Sequence, residues 1–558
     1  MLLKICKFLF FCSIIFYQNI SYSKSFDEKN VYNYFSALVS LDINNNIESL
    51  NYFNSSKKLK ESHPSYIKKY LFSLVLSEKI NKAVNEIKFI NNKKFADFFE
   101  AHLLLVLDNI KKEKYKEAIN NVEELKRYEE DGTFEFIISN FLQEYIYLFN
   151  ENEIKQISGN QLGKLGLINI TLQNCYLGRK ETANLFSNLV NFEDETNSRY
   201  LFFYANYLIE QKKYLKAEEI FEKVDTLDTS LLIAQSKKWL DQQKYNNFGK
   251  IFSCKNSSHI ISELLFIISN LYSSEKEIEK SNFYFNLSNY LNPKFKFNLV
   301  LLADNYFFND EFEKTKKILK NFSKKNEFFY WYKIKRNAQI IDSEKGEEES
   351  FKYIFSKFKD IENPSLKLIY EMGNVAKGFK KYDLSIEYYS KVLSMLDQRS
   401  IIYSEVLFRR GGSYERLGNE KKADEDLLQS LEINPNEPHV LNYLAYSWLE
   451  RNFKIETAMD MLKTAYAQRK NDPYIIDSIG WAYYLIGDYI NAEKLLRKAV
   501  QIMPDDPIVN DHYGDVLWQM GRKIEAKYYW ESVLTFKDTE DEMKRNIYIK
   551  LLKGPDKT

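Results

Sequence analysis

Apolar and small positions along this chain beat at 34 residues, most clearly near the C-terminus. Residues 473–506 read PYIIDSIGWAYYLIGDYINAEKLLRKAVQIMPDD, and residues 507–533 read PIVNDHYGDVLWQMGRKIEAKYYWESV. Superposed, Gly480 falls on Gly514, Gly487 on Gly521 and Ala492 on Ala526. Residues 404–437 repeat the skeleton with Gly411, Tyr414, Gly418, Ala423, Leu427 and Pro435. Each position has a mechanical reason. Asp472-Pro473 and Asp506-Pro507 set an N-cap carboxylate before a helix-opening proline. Gly487 suits the left-handed turn that ends a first helix. Gly480 and Ala492 let two antiparallel helices approach to the low end of about 8–10 Å. Tyr483, Leu485, Leu495 and Leu496 fill the space between them. Ala499 sits where the second helix meets the next unit, and Pro504 ends that helix. The pattern predicts helix–turn–helix hairpins stacked side by side.

This skeleton resembles the tetratricopeptide repeat, a helical hairpin of 34 residues. The resemblance implies an all-α fold, an α-solenoid superhelix of stacked hairpins. Upstream the frame continues with softer residues, giving starts at 30, 64, 99, 133, 164, 198, 229, 262, 296, 330, 366, 404, 438, 473 and 507, fifteen units in all. The units near 133, 229 and 330 fit poorly, and upstream of 366 helical hairpins of another kind are the alternative reading. Residues 537–558 alternate charges with Met543, Ile547 and Leu551, which predicts a solvent-facing capping helix and tail. The expected organisation is a leader over 1–23, divergent repeats over 24–365, well-matched repeats over 366–536, and the cap.

The leader reading rests on Lys4 and Lys7, an apolar run from Phe8 to Tyr17, and small residues Ser21 and Ser23 before a cleavage site. That run is about half the length of a membrane-spanning helix. The expectation is an exported protein with no integral span after cleavage, residing in the periplasm of a Gram-negative bacterium, with peripheral membrane association compatible. Cys6 and Cys12 leave with the leader. Cys175 and Cys254 then lie two or more units apart along a rod, beyond the roughly 7 Å that a disulfide tolerates, so both thiols are expected to stay free.

Composition narrows the function. Of 558 residues, 79 are basic and 78 acidic, a balance that argues against a polybasic nucleic-acid surface. Only 17 Gly and 9 Pro occur, against 41 Tyr and 41 Phe, which disfavours turn-punctuated sheets and demands a large packed interior. His63, His102, His259, His439 and His512 show no metal-ligand spacing. The run Gly159–Leu165 brushes against a phosphate loop but is one spacer short and lacks its hydroxyl residue. Glu129-Glu130-Asp131 and Glu347-Glu348-Glu349 read as solvated helix ends. No Gly-x-Ser-x-Gly and no cysteine–histidine pairing is identifiable. The expectation is a non-enzyme with no cofactor and no metal.

By the resemblance, the first helix of each repeat lines a concave groove that binds partner segments. In the C-terminal repeats the groove positions hold Asn442 and Tyr446, then Tyr474, Asp477, Trp481 and Tyr484, then Asp511, Asp515 and Trp518, with Arg409 and Arg416 beside them. These residues suit an extended or helical peptide, and the aspartates would meet a cationic or polar partner. Packing between repeats is the competing role for Trp481 and Trp518. A lysine–asparagine clamp for acidic tails is absent, because the cleanest repeat has Asp477 and Trp481 at those positions. The last 190 or so residues are similar to proteobacterial envelope tetratricopeptide proteins. That similarity implies an adaptor linking an envelope protease to cell-wall hydrolase clients. A structural spacer in outer-membrane or peptidoglycan assembly is the alternative.

Overall fold

The computed structural model describes residues 28–128, 130, 132–155, 163–190, 198–222, 224, 225 and 227–555. The leader, Glu129, Asp131 and residues 159–162 of the phosphate-loop-like run lie outside them. Among the described residues every regular element is helical. The chain divides into two compact units, Met1–Lys333 and Ile334–Thr558.

The second unit is a ladder of hairpins in the expected frame: Leu366–Gly378 with Tyr382–Leu393, Ile401–Arg416 with Glu420–Ile433, Pro438–Glu450 with Ile455–Gln468, Pro473–Leu485 with Tyr489–Ile502, and Pro507–Gln519 with Lys523–Val533. The Asp472 carboxylate accepts from the Tyr474 and Ile475 amides at 3.0 and 3.2 Å, and Asp506 does the same for Ile508 and Val509. These caps satisfy donors that a helix start leaves open. A Cβ added to Gly514 would sit 2.3 Å from the Trp530 indole nitrogen. The glycine is therefore what lets that tryptophan, fully buried, fill the hairpin. Gly487 turns at φ +80°, and Lys380 and Asn452 adopt the same left-handed turn where glycine is missing.

The first unit keeps the hairpins and changes some of their small residues. Ala83, Ala118 and Ala217 keep the small residue of the second helix, and at two other hairpins serine takes its place, its hydroxyl donating to a carbonyl twelve residues earlier. Ser49 reaches Ala37 O at 3.0 Å, and Ser281 reaches Ser269 O at 2.8 Å. In the second unit Ser350 reaches Ala338 O at 2.7 Å in the same way. A hydroxyl is scarcely larger than a methyl and its donor is satisfied, so the close approach survives. The poorly fitting units near 229 and 330 are each two consecutive helices, Leu231–Asp241 and Asn246–Ile251 touching through the Trp239 and Phe248 rings, and Glu327–Lys345 and Glu347–Lys359 joined by that Ser350 bond. The unit near 133 contributes one helix of 18 residues, Phe134–Glu151.

This first unit also turns back on itself. Helix Ser257–Ser274 packs on Phe99–Lys111 and on Phe134–Glu151, and helix Ile278–Leu291 packs on Pro64–Leu76. Phe72 stacks on Phe283 with ring centroids 4.8 Å apart. The Asn286 amide donates to Val75 O at 3.1 Å, and Lys111 donates to Tyr290 O at 2.6 Å. Arg199 donates two parallel hydrogen bonds to the buried Glu263, at 2.8 and 2.7 Å, and a third to Asn298. Its guanidinium stacks 4.2 Å from the Phe266 ring centre.

The expectation of two free thiols is wrong. Cys175 and Cys254 form a disulfide with Cα atoms 5.7 Å apart. The rod argument fails because helix Ser198–Glu210 packs on both Leu231–Asp241 and Asn246–Ile251. The Asn206 amide donates to Phe252 O at 3.0 Å. The Lys255 ammonium donates to Tyr176 O, so the stretch of loop carrying Cys254 lies against the end of helix Gly163–Leu177.

Candidate functional site: a charged groove in the second unit

First helices of successive repeats place their groove positions in register, 34 or so residues apart in sequence and adjacent in space. At one end the charges are basic. The Lys377 ammonium donates to Arg409 O at 3.4 Å, and burial, with Arg409 and Arg416 nearby, pushes its pKa down to about 8. Gly412 makes room, since a Cβ there would lie 2.8 Å from that ammonium. Arg409 pairs with Glu405 at 3.3 Å and lies over the Tyr370 ring, whereas Arg416 is exposed and 3.6 Å from Glu415. Asn442 is half-buried with its carbonyl oxygen unpartnered, and Tyr446 is half-buried with its ring 6.3 Å from that of His512.

At the other end the charges are acidic and aromatic. Trp481 stacks on Tyr484 and on His512, with centroids 4.6 and 4.1 Å apart, and its indole nitrogen donates to Glu450 at 3.0 Å. Asp477 is buried against the His512 Nδ1 at 3.0 Å. Burial opposes charging of that ring, yet Asp477 holds the His512 pKa above its ordinary value. Lys550 bridges Asp511 and Asp515 at 2.7 and 2.8 Å. Burial, aided by Asp511, pushes Asp515 up to about 6 even with Lys550 beside it. Tyr474 stands exposed at the groove edge. Trp518 lies against its own chain: a Cβ on Gly554 would sit 2.5 Å from its ring, and the Trp530 ring is 5.4 Å away.

The structure therefore brings together Trp481, Tyr484, Asp511 and Asp515, and adds residues that the sequence reading did not include. His512, Glu450 and Lys550 are the main ones. The capping helix, Asp541–Lys553, differs from its solvent-facing expectation. It buries Ile547 in the last hairpin, sends Lys550 inward, and its N-cap residue Glu540 reaches Lys380 at 2.9 Å. A repeat signal pointed to these partners. His512 stands one repeat plus one residue beyond Asp477, and Lys550 lies where a further first helix would continue the groove. Together they line a half-open cavity of about 560 Å³, with Trp481, Tyr484, Asp515, Glu542, Asn546 and Lys550 among its walls.

As for metals, one trio among the described residues offers ligands within 4.8 Å of one another: Asp97, His102 and Glu124, in the first unit. Arg127 bonds both carboxylates and Tyr128 donates to Asp97 at 2.7 Å, so the trio already works as an ion-pair network. Among the described residues no helix is long and apolar enough to cross a membrane.

The tetratricopeptide repeat family matches residues 404–437 and 475–506. A TPR repeat-containing protein of Pseudomonas aeruginosa is 30% identical over 110 residues, covering 20% of this chain; the chain spans 18% of that relative's length. Among solved structures, a thermophilic TPR protein of Thermus thermophilus aligns with all of its own length and 34% of this chain, at 20% identity and a TM-score of 0.30. PilF of Pseudomonas aeruginosa aligns with 83% of its length and 34% of this chain, at 16% identity and a TM-score of 0.29. Tetratricopeptide-repeat proteins generally bind other proteins as scaffolds, and residues 404–437 and 475–506 of this chain match that repeat.

Proposed function

We propose that the second unit is a non-catalytic docking scaffold that holds an extended or helical protein segment in its groove, on a chain exported to the periplasm. The observation that carries this reading is the charge gradient along the groove. Lys377, Arg409 and Arg416 stand on the earlier repeats, and Glu450, Asp511, Asp515, Glu540 and Glu542 on the later ones and the cap, where Trp481 and Tyr484 line the same cavity. A segment with separated charges would be steered into one orientation, since complementary fields act on encounter rate and register. Aromatic side chains supply the contact energy at centres of this kind. Export rests on the leader-like N-terminus, and an adaptor role between an envelope protease and cell-wall hydrolases rests on the C-terminal resemblance alone.

A photo-crosslinking residue at the exposed Tyr474 tests the reading in living cells. A discrete protein adduct is expected, and it should be lost when Arg409 and Arg416 are both reversed to glutamate. A smear of unrelated adducts, unchanged by the reversal, would remove the docking reading. Fusion of residues 1–30 to a reporter active only outside the cytoplasm tests export; a silent fusion ends that part of the proposal.

A further inference from the structure

The acidic end of the groove is walled on one side by the cap helix, and its lysines and arginines do not balance its carboxylates. Five carboxylates face the cavity: Glu450, Asp511, Asp515, Glu540 and Glu542. Among the described residues Lys550 is the one lysine or arginine lining it, and it is already shared by Asp511 and Asp515. Glu540 is met on its outer side by Lys380. Glu450 is engaged by the Trp481 indole nitrogen, a neutral donor. Asp515 is 3% exposed, and while its Oδ2 takes Lys550, its Oδ1 is buried and accepts no hydrogen bond from the described residues. A buried carboxylate oxygen without a donor is costly, and a positive donor is what would satisfy it best. The Trp481, Tyr484 and His512 rings form the wall beside it, with Trp481 stacked between the other two.

We infer that this cavity is the receptor for one cationic side chain, an arginine guanidinium or a lysine ammonium, of the segment that the groove holds. The inference rests on the docking reading above and names the chemistry of one of its contacts. Asp515 Oδ1 receives the incoming N–H, and Glu542 and Glu450 flank it. Lys550 stays in place, holding Asp511 and the second oxygen of Asp515. It thereby fixes the acceptor rather than competing for it. Asp477 takes no part, because His512 occupies it.

Titration calorimetry on the full chain, with N-acetyl tetra-arginine amide, tetra-lysine amide and tetra-glutamate amide as probes, tests this. Both cationic peptides should bind, with affinity falling as salt rises, and tetra-glutamate should not. Asp515→Asn, which keeps size and the Lys550 contact, should weaken tetra-arginine by about tenfold, the loss of one charge-assisted hydrogen bond. Glu542→Gln is exposed on the cap helix and carries no packing load, so it serves if the buried variant fails to fold; it should weaken binding about threefold. Cationic peptides that bind equally well to Asp515→Asn and Glu542→Gln, or no better than tetra-glutamate, would overturn the inference. The Tyr474 adduct separates this failure from that of the docking reading. If the adduct persists in Asp515→Asn while peptide binding is unchanged, the scaffold stands and the cation site falls.

Discussion

The two units use one ruler and apply it differently. In the second, groove contacts join neighbours, Asp477 with His512, Glu415 with Tyr443, Glu420 with Arg451, each about one repeat apart, and a longer one, Lys380 with Glu540, is made by the cap helix at the surface. In the first, hydrogen bonds span far more chain. Tyr115 meets Ser257, Lys111 meets Tyr290, and Lys314 meets Asn44 O, at separations of 142, 179 and 270 residues. Nearest-neighbour stacking makes stability a sum of local terms, so that repeats can fray one by one. Long-range closure couples distant hairpins, so loss of one should loosen several. A repeat pattern thus settles the hairpin but leaves the arrangement of hairpins to the side chains on their outer faces.

The disulfide should give the strongest contrast between the units. Cys175→Ser with Cys254→Ser should cost about 2–5 kcal/mol. Hydrogen exchange read by mass spectrometry on the full chain should show faster exchange across residues 163–291 and unchanged exchange across 401–533. Uniform acceleration in both regions would deny that the units are separate. Next, Gly514→Val forces a Cβ into the Trp530 ring and should cost about 1–3 kcal/mol by overpacking. Here the exchange change should stay within residues 473–553, the mark of a local ladder.

Asn286→Ala removes one of the donors to Val75 O, which keeps the Glu78 N–H at 2.9 Å, so the cost is the net worth of one buried hydrogen bond, about 0.5–1.5 kcal/mol. Its signature is distance. Protection should fall at 64–76 as well as at 278–291, although 211 residues of chain separate the bonded pair. A loss confined to 278–291 would remove the closure.

The shallowest effect is a slope with pH. Asp515 has its folded pKa raised to about 6 from 3.8. A group raised on folding stabilises the fold fully below its unfolded value, and that contribution is lost as pH rises through the folded one. Asp511, His512 and Lys550 face it directly. His512, also raised, adds a loss of the same sign at higher pH. Exchange protection of residues 507–553 should therefore fall between about pH 4 and pH 7, and Asp515→Asn should flatten the lower part of that slope, from about 4 to 6. Residues 64–125 should show no matching change in their relative protection; a parallel slope there would mean that a different group is being read.

Much of this is legible in the chain itself. The caps at Asp472 and Asp506, the turn glycines and the close-contact positions Gly480 and Gly514 carry their meaning locally, because capping, left-handed φ and helix approach are decided within a dozen residues. The serines at 49, 281 and 350 blur that legibility, since a hydroxyl that bonds a carbonyl twelve residues back does the work of alanine under another letter. Residues 134–151 mislead more deeply. FEFIISNFLQEYIYLFNE is apolar nearly all round, and burial on every side makes it one long helix rather than the first half of a hairpin, with helices Ser257–Ser274 and Gly163–Leu177 against it. In the site, Trp481, Tyr484, Asp511 and Asp515 are readable as groove positions. Their partners are not, because which acid is free depends on His512 and Lys550 crossing from the next element.

The hairpin and its period follow from the chain's own letters, consequences of backbone geometry repeated every 34 residues, and the face of each first helix that looks into a groove is what the family resemblance implies. The Cys175–Cys254 bond, the closure of the first unit, and the one carboxylate oxygen left without a donor emerge only on folding. Each of these depends on which surfaces meet after the chain has turned several times, and no local pattern encodes a meeting between residues so far apart.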